Sequence, residues 1–164
     1  MGLEAAFWIL AVIGVAAALV VVTNRNVFRA ALSLIVLFLI VAGIYITLSA
    51  DFLAAVQVLV YVGAIAILII LAIMLTRRVQ QGNQPNPLRV PALIIALISL
   101  GVVGFAVLNT SWRISTQPPV QPTTPAIAVR LFGEGGYLLA VEIAAVLLMA
   151  AIMGAIILAR EKDK

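Results

Sequence analysis

The sequence predicts an all-α integral membrane protein of five transmembrane helices, and three observations carry that prediction. Of its 164 residues, 65% are hydrophobic and 10% are charged, with a mean hydropathy of +1.27. Five apolar runs have about the length, roughly 20 residues, that crosses a bilayer. The basic residues fall almost entirely in the short segments between those runs. A soluble domain of this size needs far more polar surface than this chain carries. In lipid the backbone N–H and C=O groups must be paired within the segment, so each run is read as an α-helix.

The elements follow in order along a single polytopic domain, residues 1–164. The first run covers about 5–22. Its opening, "MGLEAAFWILAVIG", lacks a basic n-region and carries Glu4, so it reads as a retained helix rather than a cleaved leader. The basic loop "TNRNVFR" leads to the second run, about 30–48, and the tight turn "SAD" leads to the third, about 52–75. The segment "TRRVQQGNQPNPLRVP" is polar and broken by prolines; the fourth run, about 92–108, is the shortest. A long outer loop, 109–136, is rich in prolines that favour extended or polyproline structure. The fifth run covers about 137–159, and the tail "REKDK" is charged.

Charge sets the orientation. With the first loop, the third loop and the tail in the cytoplasm, Arg25, Arg29, Arg77, Arg78, Arg89, Arg160, Lys162 and Lys164 lie inside. Only Arg113 and Arg130 lie outside, in the longest loop, where the positive-inside rule is weakest. The N-terminus is therefore expected outside and the C-terminus in the cytoplasm. This distribution explains a pI near 10.1 without a nucleic-acid partner.

The chain has no cysteine and no histidine. That excludes disulfides, thiolate metal sites, iron–sulfur ligation and the usual haem ligation within it. A Cys or His nucleophile or base is excluded as well. If the protein takes part in redox chemistry, the electrons travel through another subunit.

Few polar residues interrupt the hydrocarbon pattern. Glu142 lies five residues after Tyr137, roughly 8 Å below the outer end of its helix at 1.5 Å per residue. An acid at a helix centre costs on the order of 2.5–3.5 kcal/mol on insertion scales, and somewhat less at this depth. Two readings stand side by side: a proton-pathway carboxylate, or a carboxyl hydrogen-bonded near the interface that serves only helix packing. In the third run Gln57 and Tyr61 are four apart and project from one face. Gly63 and Ala64 follow, small enough to admit a neighbouring helix, and the glycine weakens the helix by about 1 kcal/mol relative to alanine. Spacing alone favours a packed small-residue seam over a helix that bends or changes hydrogen-bond register. In the second run Ser33 and Thr47 can bond their own helix carbonyls, Gly43 is a packing residue, and Tyr45 suits the outer interface, as Trp8 and Trp112 suit interfaces. "GEGG" (Gly133 to Gly136) is no phosphate loop, because no strand precedes it; it reads as a flexible lead-in to the fifth helix.

The third run, "FLAAVQVLVYVGAIAILIILAIML", closely resembles the central helix of the J subunit of proton-translocating NADH:quinone oxidoreductase (respiratory complex I), the equivalent of mitochondrial chain 6. That family's pattern is an apolar helix built around "VYAGAI" and ending in "ML". The resemblance extends to "NRNVFRAALSLIVLFLIVAGIYITLSADFL" before it and resumes at "LFGEGGYLLAVEIAAVLLMAAIMGAIILARE", where the family often has "LFGPYLLPFE". Helices two, three and five carry the match, roughly half the chain. The loop before the second helix departs from the Asn-Pro and nearby histidine of many relatives, and the aromatics that often follow "GAI" are absent.

The resemblance implies a π-bulge in the third helix at Tyr61, Val62 and Gly63. Rotation or relaxation there would open or close a hydrated link between the quinone end of the membrane arm and the proton channels. It reverses the preference that spacing alone gives and makes Gln57, Tyr61, Val62, Gly63 and Glu142 the candidate conformational and proton-path residues. It implies no cofactor bound by this chain, with NADH, FMN, iron–sulfur clusters and a quinone used in other subunits. The implied partners are the quinone-site subunit, a small three-helix subunit with intramembrane glutamates and the antiporter-like subunits, in a bacterial inner membrane. The alternatives are a small membrane subunit of a multi-subunit cation/proton antiporter or of a ferredoxin- or hydrogenase-linked relative, or a scaffold that only fills space.

Overall fold

A computed structural model describes residues 2–76, 88–112 and 122–160, and every regular element in them is helical. The membrane-length helices are α1 (Gly2–Thr23), α2 (Val27–Thr47), a joined third helix (Asp51–Leu75), α5 (Arg89–Asn109) and α7 (Leu138–Ala159). The third helix runs through α3 (Asp51–Val56), a π-helical turn (Gln57–Ile65) and α4 (Ala66–Leu75) without a break. A short helix, α6 (Thr123–Phe132), precedes α7. The chain forms two compact units, Met1–Pro119 and Val120–Lys164. Arg77, Arg78, Arg113, Lys162 and Lys164, which the orientation argument uses, lie outside the described residues.

In the first unit α2 is the central element, packed on α1 and along the whole length of the third helix. Its contacts are made by small side chains. Ala31 and Ala42 on α2, and Ala54 and Ala66 on the third helix, are buried, with Ile40 the large exception. The big apolar side chains, such as Leu19, Leu59, Leu75 and Phe105, point outward. That inversion of a soluble core is expected where lipid is the solvent: burial of leucine gains nothing over lipid, so helices associate by close backbone approach at small residues.

The α1–α2 contact is reciprocal. A Cβ at Gly14 would come within 3.2 Å of Ile40 Cγ2, and one at Gly43 within 3.1 Å of Leu10 Cδ1. Each helix thus offers a glycine to a branched side chain of the other. The loop between them is closed by asparagines. Asn24 Oδ1 accepts from the Asn26 N–H at 3.0 Å, and Asn26 Oδ1 accepts from Phe28 N–H and Arg29 N–H at 3.0 and 3.2 Å. Asn26 is therefore the N-cap of α2, which starts the helix at Val27 rather than the 30 expected from hydropathy. Ser33 Oγ donates to the Arg29 carbonyl at 2.9 Å and Thr47 Oγ1 to that of Ile44 at 2.7 Å, the back-bonding expected of them.

The turn into the third helix is a Schellman motif. The Ser49 N–H donates to the Ile46 carbonyl and the Ala50 N–H to that of Tyr45, at 3.0 and 2.9 Å, with Ser49 at φ 62°. A left-handed residue at this position is usually glycine, so serine holds a conformation that costs it roughly 1 kcal/mol.

Three further expectations are corrected. The fourth span starts at Arg89 rather than 92, because Pro91 falls in the first turn, where a missing N–H disrupts no helical bond. The loop 109–136 is not extended throughout, as its prolines predict, but contains α6: Pro125 likewise occupies the first turn, and the apolar run after it continues as helix. "GEGG" is also no loose segment. The Gly136 N–H donates to the Gly133 carbonyl at 2.9 Å and the Tyr137 N–H to that of Arg130 at 3.0 Å. Gly135 has φ +72°, and a Cβ at Gly136 would stand 2.5 Å from the Arg130 carbonyl oxygen.

Gly43→Leu should push α1 off α2 and lower stability by about 1–3 kcal/mol, measured as a drop in the thermal midpoint of the detergent-solubilised protein. Gly43→Ala should be far milder, since the end of Leu10 can move aside. Ser49→Gly should raise the midpoint, with a gain of about 0.5–1 kcal/mol.

Candidate functional site

The polar irregularity of the third helix and its backbone irregularity coincide. Gln57, Tyr61, Val62 and Gly63 all lie in the π-helical turn Gln57–Ile65. There the hydrogen bonds reach back five residues, as from the Ala66 N–H to the Tyr61 carbonyl. Such a turn holds one residue more than an α-turn and frequently marks a functional site.

Helical geometry explains why the extra residue is needed. The buried positions of the third helix are Ala54, Gln57 and Ala66. At about 100° per residue, a continuous α-helix would place Ala66 half a turn away from Gln57, on the opposite face. The extra residue in the wide turn takes about 100° off that rotation. Ala54, Gln57 and Ala66 then fall within about 80° of one another, and all three stretches of the helix pack against α2.

Gln57 is buried, with 6% of its surface exposed. No described residue makes a hydrogen bond to its side-chain amide, yet none of its polar atoms is sealed off without a partner. Its polar atoms therefore keep access to the surface of the fold, where water or another polypeptide can reach them. Tyr61 sits at the edge of the same contact, 43% exposed. Its ring meets Phe38 of α2 edge to face, with centroids 5.5 Å apart and planes at 73°, an arrangement worth about 0.5–1.5 kcal/mol beyond area burial. The expected common face of Gln57 and Tyr61 is thus the α2 side.

Val62 is half-buried and Gly63 exposed. A Cβ at Gly63 would lie 3.4 Å from the Val58 carbonyl oxygen, an ordinary contact. Glycine is therefore not a steric requirement of the π turn itself. Glu142 belongs to the other unit, at an exposed position in the second turn of α7. An acid there is set apart from its own helix and needs water or another polypeptide to meet it.

Phe38, Ala54 and Ala66 carry no mark in the sequence. Nothing in their identity separates them from the apolar residues around them. Only the register of the third helix against α2 selects them. Among the described residues no group of three or more Asp or Glu side chains gathers as a metal site.

A family model described as NADH-ubiquinone/plastoquinone oxidoreductase chain 6 matches residues 17–158. The chain is 43% identical over 158 residues to NAD(P)H-quinone oxidoreductase chain 6 of Synechocystis, covering 94% of this chain and 79% of that protein. It is 37% identical over 160 residues to F(420)H(2) dehydrogenase subunit J of Methanosarcina mazei, covering 95% and 90%. It is 32% identical over 167 residues to NADH-quinone oxidoreductase subunit J of Escherichia coli, covering 98% and 88%.

Deleting Val62 removes the extra residue. The expected product is a continuous α-helix that keeps Ala54, Gln57 and Ala66 on one stripe, about 80° wide as before. Infrared amide-I spectra or a structure of this variant should show the wide turn gone and the α2 contact kept. Gly63→Ala should fold with a thermal midpoint close to that of the parent protein.

Proposed function

Because the chain belongs to the chain 6, or subunit J, family of NADH-quinone oxidoreductases, we propose that its third helix is the moving part that couples quinone reduction to proton translocation. The chain is a membrane-arm subunit of such a proton-translocating complex, a multi-pass membrane protein whose partners are the other subunits. The observation that carries the coupling role is the π-helical turn Gln57–Ile65 at the family's tyrosine–glycine motif. In this reading the wide turn exchanges with a narrower one, one set of backbone bonds replacing another, at a site of the kind where π turns are frequent. Closing it turns one half of the helix by about 100°. That rotation separates Ala66 from the α2 stripe or Tyr61 from Phe38, and moves Gln57 in or out of contact with water.

The same reading gives each candidate residue a role. Tyr61 is the side chain that swings, its hydroxyl free to bond in one state and not the other. Gly63 lowers the barrier by weakening the helix beside it, Val62 is the residue the turn gains or loses, and Gln57 anchors water at the α2 contact. Glu142 lies apart in sequence and on an exposed helix face, as a proton-path carboxyl shared with a neighbouring subunit would. No active site lies in this chain, and none of NADH, FMN, iron–sulfur clusters and quinone is bound by it; these belong to other subunits. The relatives' names carry different electron donors, F(420)H(2) and NADH among them, while the similarity covers nearly the whole chain each time. A subunit remote from the donor site accounts for that.

The specific neighbours in this reading are the quinone-site subunit, the small three-helix subunit and the antiporter-like subunits. No residue in the membrane window of α5 is buried, so this helix offers a whole surface to them and to lipid. The N-terminus faces outward and the C-terminus the cytoplasm of a bacterial inner membrane. In an alternating five-span topology Arg25 before α2, Arg29 in its first turn, Arg89 at the start of α5 and Arg160 after α7 fall on one side.

A gentle-detergent purification, with subunits identified by mass spectrometry and NADH-to-quinone activity assayed on the same sample, tests the assembly. It should recover flavin- and cluster-binding subunits; antiporter subunits alone would overturn it. In that complex Tyr61→Phe should leave assembly intact and lower proton pumping per electron. Losing one hydrogen bond of about 1 kcal/mol would shift the balance of states about fivefold. An unchanged pumping ratio would count against the switch.

A further inference from the structure

The short helix α6 carries an exposed apolar stripe that nothing in its own unit covers. Pro125, Ala128, Val129 and Phe132 recur at the i, i+3, i+4, i+7 spacing of a single helix face, and all four are exposed. Val129 and Phe132 are 70% and 62% exposed. Arg130 and Thr123 lie on the other side, about 150–170° round the helix at 100° per residue. With Ala126, Ile127 and Leu131 they border a groove on that side. The ten residues thus present an open apolar stripe, while on the other side Thr123 and Arg130 stand beside the half-buried Ala126, Ile127 and Leu131.

The height of α6 relative to the bilayer follows from its tether. The Tyr137 N–H donates to the Arg130 carbonyl at 3.0 Å, and the Gly136 N–H to that of Gly133 at 2.9 Å, so the last turn of α6 is hydrogen-bonded to the residue before α7. Only glycine fits at Gly136, where the Arg130 carbonyl oxygen occupies the position of a Cβ. The 22 residues of α7 span about 33 Å, close to the ~30 Å hydrocarbon thickness. Its first residue therefore marks one edge of the hydrocarbon. Tyr137, 67% exposed at that edge, is the residue type of the interfacial belt.

We propose that α6 lies in the membrane interface, its stripe of Pro125, Ala128, Val129 and Phe132 set among the lipid acyl chains just below the headgroups, and Arg130 turned toward water and phosphates. A short helix whose exposed stripe is apolar and carries an aromatic, with its arginine and threonine kept off that stripe, suits this position. α6 then fixes the depth and rotation of α7, and with them the level at which Glu142 stands. The inference needs only that α7 spans a membrane; it does not depend on the coupling role of the third helix.

The test places a photo-crosslinking benzoylphenylalanine at Val129, at Phe132 and, as the control, at Ile127, in the full chain assembled with its partners in native membranes. Retained quinone-reductase activity shows which labelled chains have assembled, and the two stripe positions guard against one that does not. After irradiation, intact-mass spectrometry of this chain should show phospholipid adducts at Val129 and Phe132, several-fold above those at Ile127. Crosslinks from the stripe to another polypeptide would overturn the proposal in favour of a protein dock. No adduct above the Ile127 control would overturn it in favour of a water-exposed helix.

Discussion

Close approach between α2 and the third helix depends on a run of buried positions that a straight α-helix could not align. Ala54, Gln57 and Ala66 reach the same neighbour only because one additional residue is taken up between them. In lipid there is little hydrophobic gain in driving helices together, so van der Waals contact at small residues has to hold the pair. A half-turn error at Ala66 would replace that contact with isoleucine and leucine side chains and hold the backbones apart. The π turn is thus stabilised by the tertiary contact it makes possible, and its cost in helix geometry is offset across the whole length of α2.

In the proposed switch, the other contacts of the first unit are what the turn would move against. α1 and α2 interlock through Gly14 with Ile40 and Gly43 with Leu10. The asparagine-closed loop and the Schellman turn set both ends of α2. Phe38 stands on this braced helix, and the ring of Tyr61 rests against it. A helix that changes register beside a rigid neighbour turns a local exchange of backbone bonds into a defined displacement of side chains. The same exchange between two soft helices would dissipate. This is the physical sense in which a chain without histidine or cysteine could take the mechanistic part proposed for it.

Much of the fold was legible from residue types alone, because the lipid solvent leaves few options. Five apolar runs of bilayer length became five helices, and Ser33 and Thr47 bonded their own backbone as residues of their kind do. The exceptions have identifiable reasons. Pro91 and Pro125 read as breakers, yet both sit in first turns, where proline is harmless. The apolar spacing of Ala128, Val129 and Phe132 after the Thr-Thr-Pro start was the signal for α6, outweighed by the prolines around it. "GEGG" read as loose because glycine permits freedom; here the glycines are required by close backbone approach at Gly136 and a left-handed φ at Gly135.

The candidate site divides in the same way. Gln57, Tyr61 and Gly63 stand out in the sequence because polar and small residues are costly or unusual in a membrane helix, and the family motif marked the wide turn. By itself the sequence determined the spans, the polar interruptions and the sign of charge in each loop, since hydropathy and charge are properties of single residues and short windows. The tertiary structure alone decided which residues oppose them: Phe38 against Tyr61, and Ala54 and Ala66 beside Gln57 on α2. Those pairings depend on the rotation of one helix relative to another, and a single extra residue in a turn changes that rotation by about 100°.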